Sequence, residues 1–324
     1  MKSSKKRTWI TILLILAVCI AGAGIYLAES RKKSEEAVSD AEEIETDTVV
    51  YQGKKYRYNS DLELILFMGV DKSEPISLQN YAGKGGQADT LLLAVLDREQ
   101  EKVQLVSVSR DTVTDVKIYD ESGEYLATEH AQIALQYAYG TSAKRSIQMT
   151  KEAVANLLYE VSIRSYVSLN VEGIAPIVDA MGGVTLTIPA DYTMIDPSFT
   201  QGSVLTLNGA QAEAYVRYRD QAVTGSNTQR MERQNEFLLA LFRQMNNSGL
   251  QKQERLQQLL DSAGEYLETD LTVQEMQRLS EYEFQPEIIT LPGEMQAGAE
   301  HDEYVIDDEK LYELVLKLFY KSVD

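Results

Sequence analysis

The chain of 324 residues carries 50 acidic and 31 basic side chains, a formal net charge of −19, and is 44% hydrophobic. That composition supports a buried core, excludes a chain disordered throughout, and argues against bulk nucleic-acid binding. One cysteine, Cys19, and two histidines, His130 and His301, exclude an intramolecular disulfide, a CxxC redox pair and a multi-histidine metal centre. Carboxylates, arginines, amides or a bound cation are left to carry any chemistry.

Lys2, Lys5, Lys6 and Arg7 precede an uncharged run, residues 9–28. A helix of that length spans ~30 Å, the hydrocarbon thickness of a bilayer. The basic tail, residues 1–8, stays in the cytoplasm by the positive-inside rule, with Trp9 and Tyr26 near the two interfaces. The expectation is an uncleaved, single-pass signal anchor in the cell membrane; a cleaved signal peptide and a lipid-modified Cys19 are the alternatives. Residues 29–48 read as a charged linker and 49–324 as an extracytoplasmic domain, with a motif core at 60–245 and a helical part at 250–324.

Residues 48–58 alternate around Gly53 and Lys54 and predict a hairpin. The apolar runs 62–70, 90–96 and 103–108, with 165–169 and 184–188, predict strands, the first three buried and central. Helical spacing predicts helices over 129–139, 147–159, 172–181 (stopped by Gly182), 209–215 (capped by Asn208) and 230–245. Residues 253–263, 273–279 and 307–320 also read as helical. Strands interleaved with helices imply one α/β domain with helices on both sheet faces.

Asp71 ends the first buried strand and Asp89 opens the second. If those strands are antiparallel the two carboxylates meet at one edge and suit Mg²⁺; capping a turn is the ordinary alternative. The intervening Gly83-Lys84-Gly85-Gly86 lacks P-loop spacing and a following helix. Arg110 and Asp111 follow the third strand, where α/β sheets present ligand-binding groups. Arg217 and Arg219 point the same way if the chain is extended beyond a helix ending near Tyr215. Arg230 and Gln234 share one helix face, with Arg233 adjacent. Clustered arginines suit phosphate or pyrophosphate, with surface salt bridges as the competing reading.

These segments in order resemble the LytR-CpsA-Psr family of cell-wall glycopolymer ligases. The resemblance rests on Leu66-Phe-Met-Gly-Val-Asp71, Asp89-Thr-Leu-Leu-Leu93, Ser107-Val-Ser-Arg-Asp-Thr112, Tyr137-Ala-Tyr-Gly140 and Met181-Gly-Gly-Val184. Leu207-Asn-Gly-Ala210, Tyr215-Val-Arg-Tyr-Arg219 and Arg230-Met-Glu-Arg-Gln234 complete the set. It implies an α/β/α sandwich with a central mixed sheet and an apolar pocket for a polyprenyl chain. The implied activity is transfer of a glycopolymer from polyprenyl pyrophosphate to a peptidoglycan hydroxyl through a phosphodiester. Asp71 and Asp89 would hold Mg²⁺ (or Mn²⁺). Arg110, Arg217, Arg219, Arg230 and Gln234 would act on the pyrophosphate, with Arg233, Asp111, Gln132 and Asn227 binding substrate around them. Gln132 stands where the family commonly has Lys and Asn227 where many members have Asp, so the net site charge is retained. A non-catalytic polyprenyl-phosphate-binding or regulatory protein, and a pyrophosphatase using water, are alternatives built on the same site.

Overall fold

A computed structural model describes residues 48–76, 81–218, 226–247, 252–279, 281–298 and 301–323. The chain divides into two compact units, Met1–Lys55 and Tyr56–Asp324. β1 (Thr48–Tyr51) turns into β2 (Lys54–Tyr58) through Gln52 and Gly53, both at positive φ (48° and 79°). Two left-handed residues are what a two-residue hairpin turn requires, and they place the turn one residue earlier than expected. The expected membrane span at 9–28 lies outside the described residues, among which no helix is long and apolar enough to cross a membrane.

The second unit runs β3 (Leu62–Val70), β4 (Ala88–Asp97), β5 (Lys102–Val108), β6 (Val113–Tyr119), β7 (Tyr125–Gln132), a 3-10 segment (Ile133–Tyr139) and α1 (Ala143–Leu157). Then come β8 (Ser165–Asn170), α2 (Ile174–Ala180), β9 (Val184–Thr187), β10 (Val204–Leu207), α3 (Gly209–Arg217) and α4 (Ser226–Asn247). The chain closes with α5 (Lys252–Ala263), β11 (Leu267–Thr269), α6 (Val273–Leu279), β12 (Glu283–Thr290), β13 (Gly293–Ala297), β14 (Asp302–Ile306), α7 (Asp308–Phe319) and β15 (Tyr320–Ser322).

Six strands form the central sheet in the order β11-β8-β3-β4-β5-β12. β3, β4 and β5 are antiparallel neighbours, whereas β8 runs parallel to β3 and β12 parallel to β5, so the sheet is mixed. The near-continuous apolar runs of β3, β4 and β5 follow from burial on both faces. Leu64, Leu66, Met68, Leu91, Leu93 and Val106 pack on one side against α1 and α7. Alternate residues Ile65, Leu92, Ala94, Val103 and Leu105 pack on the other, against α4 and α6. Period-two alternation thus gives each strand two apolar faces, and the fold is the expected α/β arrangement.

Several elements differ. Of residues 129–139 only 133–139 are helical, as the 3-10 segment; residues 129–132 end β7, which pairs antiparallel with β6, Glu129 opposite Val116 and His130 opposite Asp115. Ile133, Ala134, Tyr137 and Ala138 are buried and form the helical stripe, whereas Leu126, Glu129 and His130, at the spacing that would extend it backwards, are exposed. The β13–β14 hairpin, β12 and β15 were not expected; their alternation is short and interrupted by Glu and Gln. The hydrophobic staggering at 273–279 coincides with α6, and Asp307 caps α7 through a bond from the Lys310 amide (3.2 Å).

Candidate active site

The site lies at the end of the sheet where β3 leaves and β4 enters. Gly69 opposes Thr90, but Val70 opposes Ala88, so Asp89 is an extra, bulged residue. Bulges re-aim side chains at sheet ends, and this one turns the Asp89 carboxylate towards the neighbouring strand end. A Cβ on Gly69 would lie 3.0 Å from the Thr90 Cβ, so glycine is needed for the close pairing. Gly86, at φ 84°, lets the preceding loop turn back: Asp71 donates its amide to the Gln87 carbonyl (3.0 Å). The glycine loop that resembles a phosphate cradle instead packs down, with the Gly83 and Gly85 amides both donating to the Ala138 carbonyl.

Arg110 emerges from the turn after β5. Its backbone carbonyl accepts from Ala134 (3.2 Å), and Thr112 accepts from Ile133 (2.8 Å), which ties that turn to the 3-10 segment. Its guanidinium bonds Asp89 through Nη1 and the Gln87 side-chain oxygen through Nη2. Arg230 reaches the other Asp89 oxygen, Nη1 to Oδ2, at 3.0 Å. All three side chains are nearly buried, at 10–12% exposure. Two guanidiniums held on one carboxylate form a preorganised group of N–H donors at low local dielectric, suited to an oxyanion.

α4 carries this chemistry into an apolar space. Arg230, Gln234, Phe237, Leu238 and Leu241 lie on one helix face and line a cavity of about 620 Å³. Asp71, Asp89, Thr90, Arg110 and Arg217 stand with Arg230 and Gln234 at its polar end; Ile65, Phe67, Ala94, Leu96, Val103 and Phe284 are among its apolar walls. A cavity of that size and apolar lining with a few convergent polar groups is the form of a small-molecule or lipid site. Gln234 is a tie as well as a lining residue: its oxygen accepts from the Thr90 hydroxyl (2.9 Å) and its amide donates to Val216 (3.2 Å).

The other expected residues divide. Arg217 lines the cavity, and its Nη1 is held by Glu213 (3.1 Å) and Glu172 (3.4 Å). α3 extends to Arg217 instead of ending near Tyr215, so Arg217 is still helical. Arg219 lies outside the described residues, as does the Asn227 side chain, whose backbone falls within α4. Arg233 does not line the cavity. It is 2% exposed, donates Nε to Tyr215 (3.0 Å) and Nη2 to Tyr218, and stacks over the Tyr192 ring at 5.1 Å. It therefore neutralises the exposed carbonyls at the C-terminus of α3. Gln132 likewise faces away: its amide donates to Asp111 (3.0 Å) and to the Asp302 carbonyl (2.8 Å). Asp111 in turn lies 3.4 Å from Arg110 Nε, so Gln132 and Asp111 steady Arg110 from behind. Reading residue types alone missed Gln87, Thr90 and Glu172, because neutral amides, hydroxyls and one glutamate among many carry no sequence signal.

Next to the site, burial pushes the Tyr215 hydroxyl and the Glu236 carboxyl above their usual ranges, and the hydroxyl donates to Glu236 (3.2 Å). His130 pairs loosely with Asp115 on the exposed face of β7 and takes no part.

The chain is similar to known proteins over most of its length. The family model described as the LytR_cpsA_psr family matches residues 23–318. A polyisoprenyl-teichoic acid–peptidoglycan teichoic acid transferase TagU of Halalkalibacterium halodurans is 29% identical over 85% of this chain and 83% of its own. A TagU of Bacillus subtilis is 30% identical over 69% of this chain and 66% of its own. Among solved structures, TagT bound to LIIa-WTA is similar in fold, with TM-score 0.60 at 21% identity, over 80% of this chain and 90% of that one.

Proposed function

The chain belongs to the LytR_cpsA_psr family, and on that premise we propose that it transfers a glycopolymer from a polyprenyl-pyrophosphate carrier to a peptidoglycan hydroxyl. One observation carries the reading: the Arg110–Asp89–Arg230 cluster sits at the polar end of a long apolar cavity. A pyrophosphate esterified to an alkyl chain has the same two-part chemistry. The names of the TagU relatives, teichoic acid transferases acting on polyisoprenyl-linked substrate, support the substrate class.

In this reading the alkyl chain occupies the apolar cavity and the pyrophosphate lies against Arg110, Arg230 and Arg217. The acceptor hydroxyl oxygen forms a bond to the glycan-side phosphorus as the bond from that phosphorus to the bridging oxygen breaks. Polyprenyl phosphate leaves with the electron pair, and the hydroxyl proton is released. Positioning and charge neutralisation supply most of the catalysis in such transfers, which is why no cysteine or histidine is needed. Gln87 and Asp111 hold Arg110 in place; Gln234 and Thr90 fix α4 against β4.

Asp71 and Asp89 fit a hard divalent cation only as a shared site. Both line the cavity, but among the described residues no group of three His, Cys, Asp or Glu could hold a metal alone. Mg²⁺ typically keeps waters and takes one or two carboxylates plus phosphate oxygens, so we assign Asp71 and Asp89 as the ligands of Mg²⁺ or Mn²⁺. When bound, such an ion neutralises charge on the transferring phosphoryl group. Residues 9–28 would anchor the enzyme in the cell membrane, where its lipid carrier resides.

The test is transfer from a polyprenyl-pyrophosphoryl oligosaccharide to a peptidoglycan fragment by full-length protein, with and without EDTA. Transfer that falls about ten- to hundredfold with Arg230→Ala supports the reading. Lipid binding without transfer or hydrolysis overturns it in favour of a binding protein, and phosphate release without an acceptor favours a pyrophosphatase.

A further inference from the structure

A charged pair lies beside the apolar end of the cavity, next to its lining residues. The sheet register gives the cavity floor a row of four residues: Glu63 opposes Leu96, Leu96 opposes Val103, and Val103 opposes Phe284. The last three line the cavity, and Glu63 holds the fourth place on the same sheet face as Ile65 and Phe67. α6 covers that end: Met276 and Leu279 line the cavity, and Arg278 between them bonds Glu63 Oε2 at 2.9 Å. The Glu63 side chain is 4% exposed while that of Arg278 is 45% exposed.

A carboxylate in this row is costly. Apolar residues fill the rest of it, and Glu63 Oε1 is buried with no hydrogen-bond partner. Burying a half-satisfied carboxylate opposes folding, so such a group calls for an explanation other than stability. The explanation lies in where it stands, beside the lining residues Ile65 and Leu96. Glu63 is six residues along β3 from Gly69 at the polar end, about 20 Å at about 3.3 Å per residue, and the cavity lining on β3 begins at Ile65, two residues short of it. An isoprene unit, with four main-chain carbon–carbon bonds of ~1.5 Å, extends by about 5 Å, so about four units fit.

Resting on the lipid-carrier reading above, we propose that Glu63 and Arg278 are a polar stop that sets how much of the alkyl chain the cavity takes. An apolar tail gains by advancing until its end meets the ion pair, where further advance would desolvate a charge. The pair thus determines specificity for chain length and branching in the last buried unit, at a distance from the phosphate site.

The test is binding of polyprenyl monophosphates of increasing length, from two to eight isoprene units, to full-length protein in detergent, followed by displacement of a fluorescent alkyl phosphate. In the wild type, affinity should rise severalfold per unit and level off near four. Glu63→Leu combined with Arg278→Leu, which removes both charges together, should move the plateau outwards by at least one unit. Glu63→Gln keeps a polar end and should keep the wild-type plateau, which separates a stop from a merely stabilising pair. An identical plateau in all three proteins, or no plateau in the wild type, overturns the stop while leaving the carrier reading intact. Absence of binding at every length in the wild type overturns both.

Discussion

The two faces of the central sheet are made by the same strands yet are packed to different ends. On one, Leu66, Leu93, Val106, Ile147, Val154 and Phe319 are at most 1% exposed and pack in one cluster with residues of α1 and α7. On the other, Ile65, Ala94 and Leu105 are also buried, but α4 and α6 stand over a cavity of about 620 Å³. The comparison teaches that stability and binding are allotted to opposite faces. The sealed face supplies close-packed burial, at about 25 cal/mol per Å² of apolar surface, and the other face forgoes part of it to keep room for a ligand.

The comparison can be broken most severely from the sealed side. Leu66→Ala, in a site fully enclosed by neighbours, should cost about 2–5 kcal/mol of stability, read from denaturant unfolding. At the polar end of the open side, Arg110→Ala or Arg230→Ala removes a charge-assisted contact worth roughly 1.5–3 kcal/mol. Each should lower transfer about ten- to hundredfold with little change in unfolding. Asp89→Asn and Asp71→Asn should reduce turnover similarly, and EDTA should do the same to the wild type; activity indifferent to chelation and to both substitutions would remove the metal assignment.

Small-to-large changes sharpen the contrast. Ala153→Leu overpacks α1 against the sealed face and should cost about 1–3 kcal/mol. Ala94→Leu, a cavity wall, has space ahead of it and should leave stability nearly unchanged while weakening alkyl-phosphate binding. Equal destabilisation by the two would contradict the division of labour.

The smallest effect concerns pH. Burial holds the Glu236 carboxyl above its ordinary value of 4.5, against the opposing pull of the Tyr215 hydroxyl and Arg233. The folded state therefore binds the proton more tightly than the unfolded chain, so this group's contribution is present at low pH and is lost as pH rises through the raised folded value. Glu236→Gln should flatten that slope and be slightly more stable than wild type at neutral pH, measured as unfolding midpoints between pH 4 and 8. An unchanged slope would mean that the carboxyl is solvated in solution.

Much of this was legible in the chain itself, because its signals are local. Runs such as Leu62–Val70 declare buried strands through composition, and Asn208 declares the start of α3 through a capping box with Gln211. The residues Asp71, Asp89, Arg110, Arg230 and Gln234 were identifiable because acids and arginines placed at the ends of apolar elements have few other uses. Tertiary structure decided the rest, for the reason that partners distant in sequence leave no mark on spacing. Only the β4 bulge aims Asp89 between two arginines that are 120 positions apart. Arg233 and Gln132 carry the same chemical groups as ligands do, yet the carbonyls at the end of α3 and the Asp111 carboxylate claim them first. Residues 133–139 have a helix's stripe but follow a strand, since β6 offers residues 125–132 a ladder of backbone bonds. Glu63 is one acid among fifty in the sequence; only the register of four strands and the arrival of α6 from 215 residues away place it against the cavity floor.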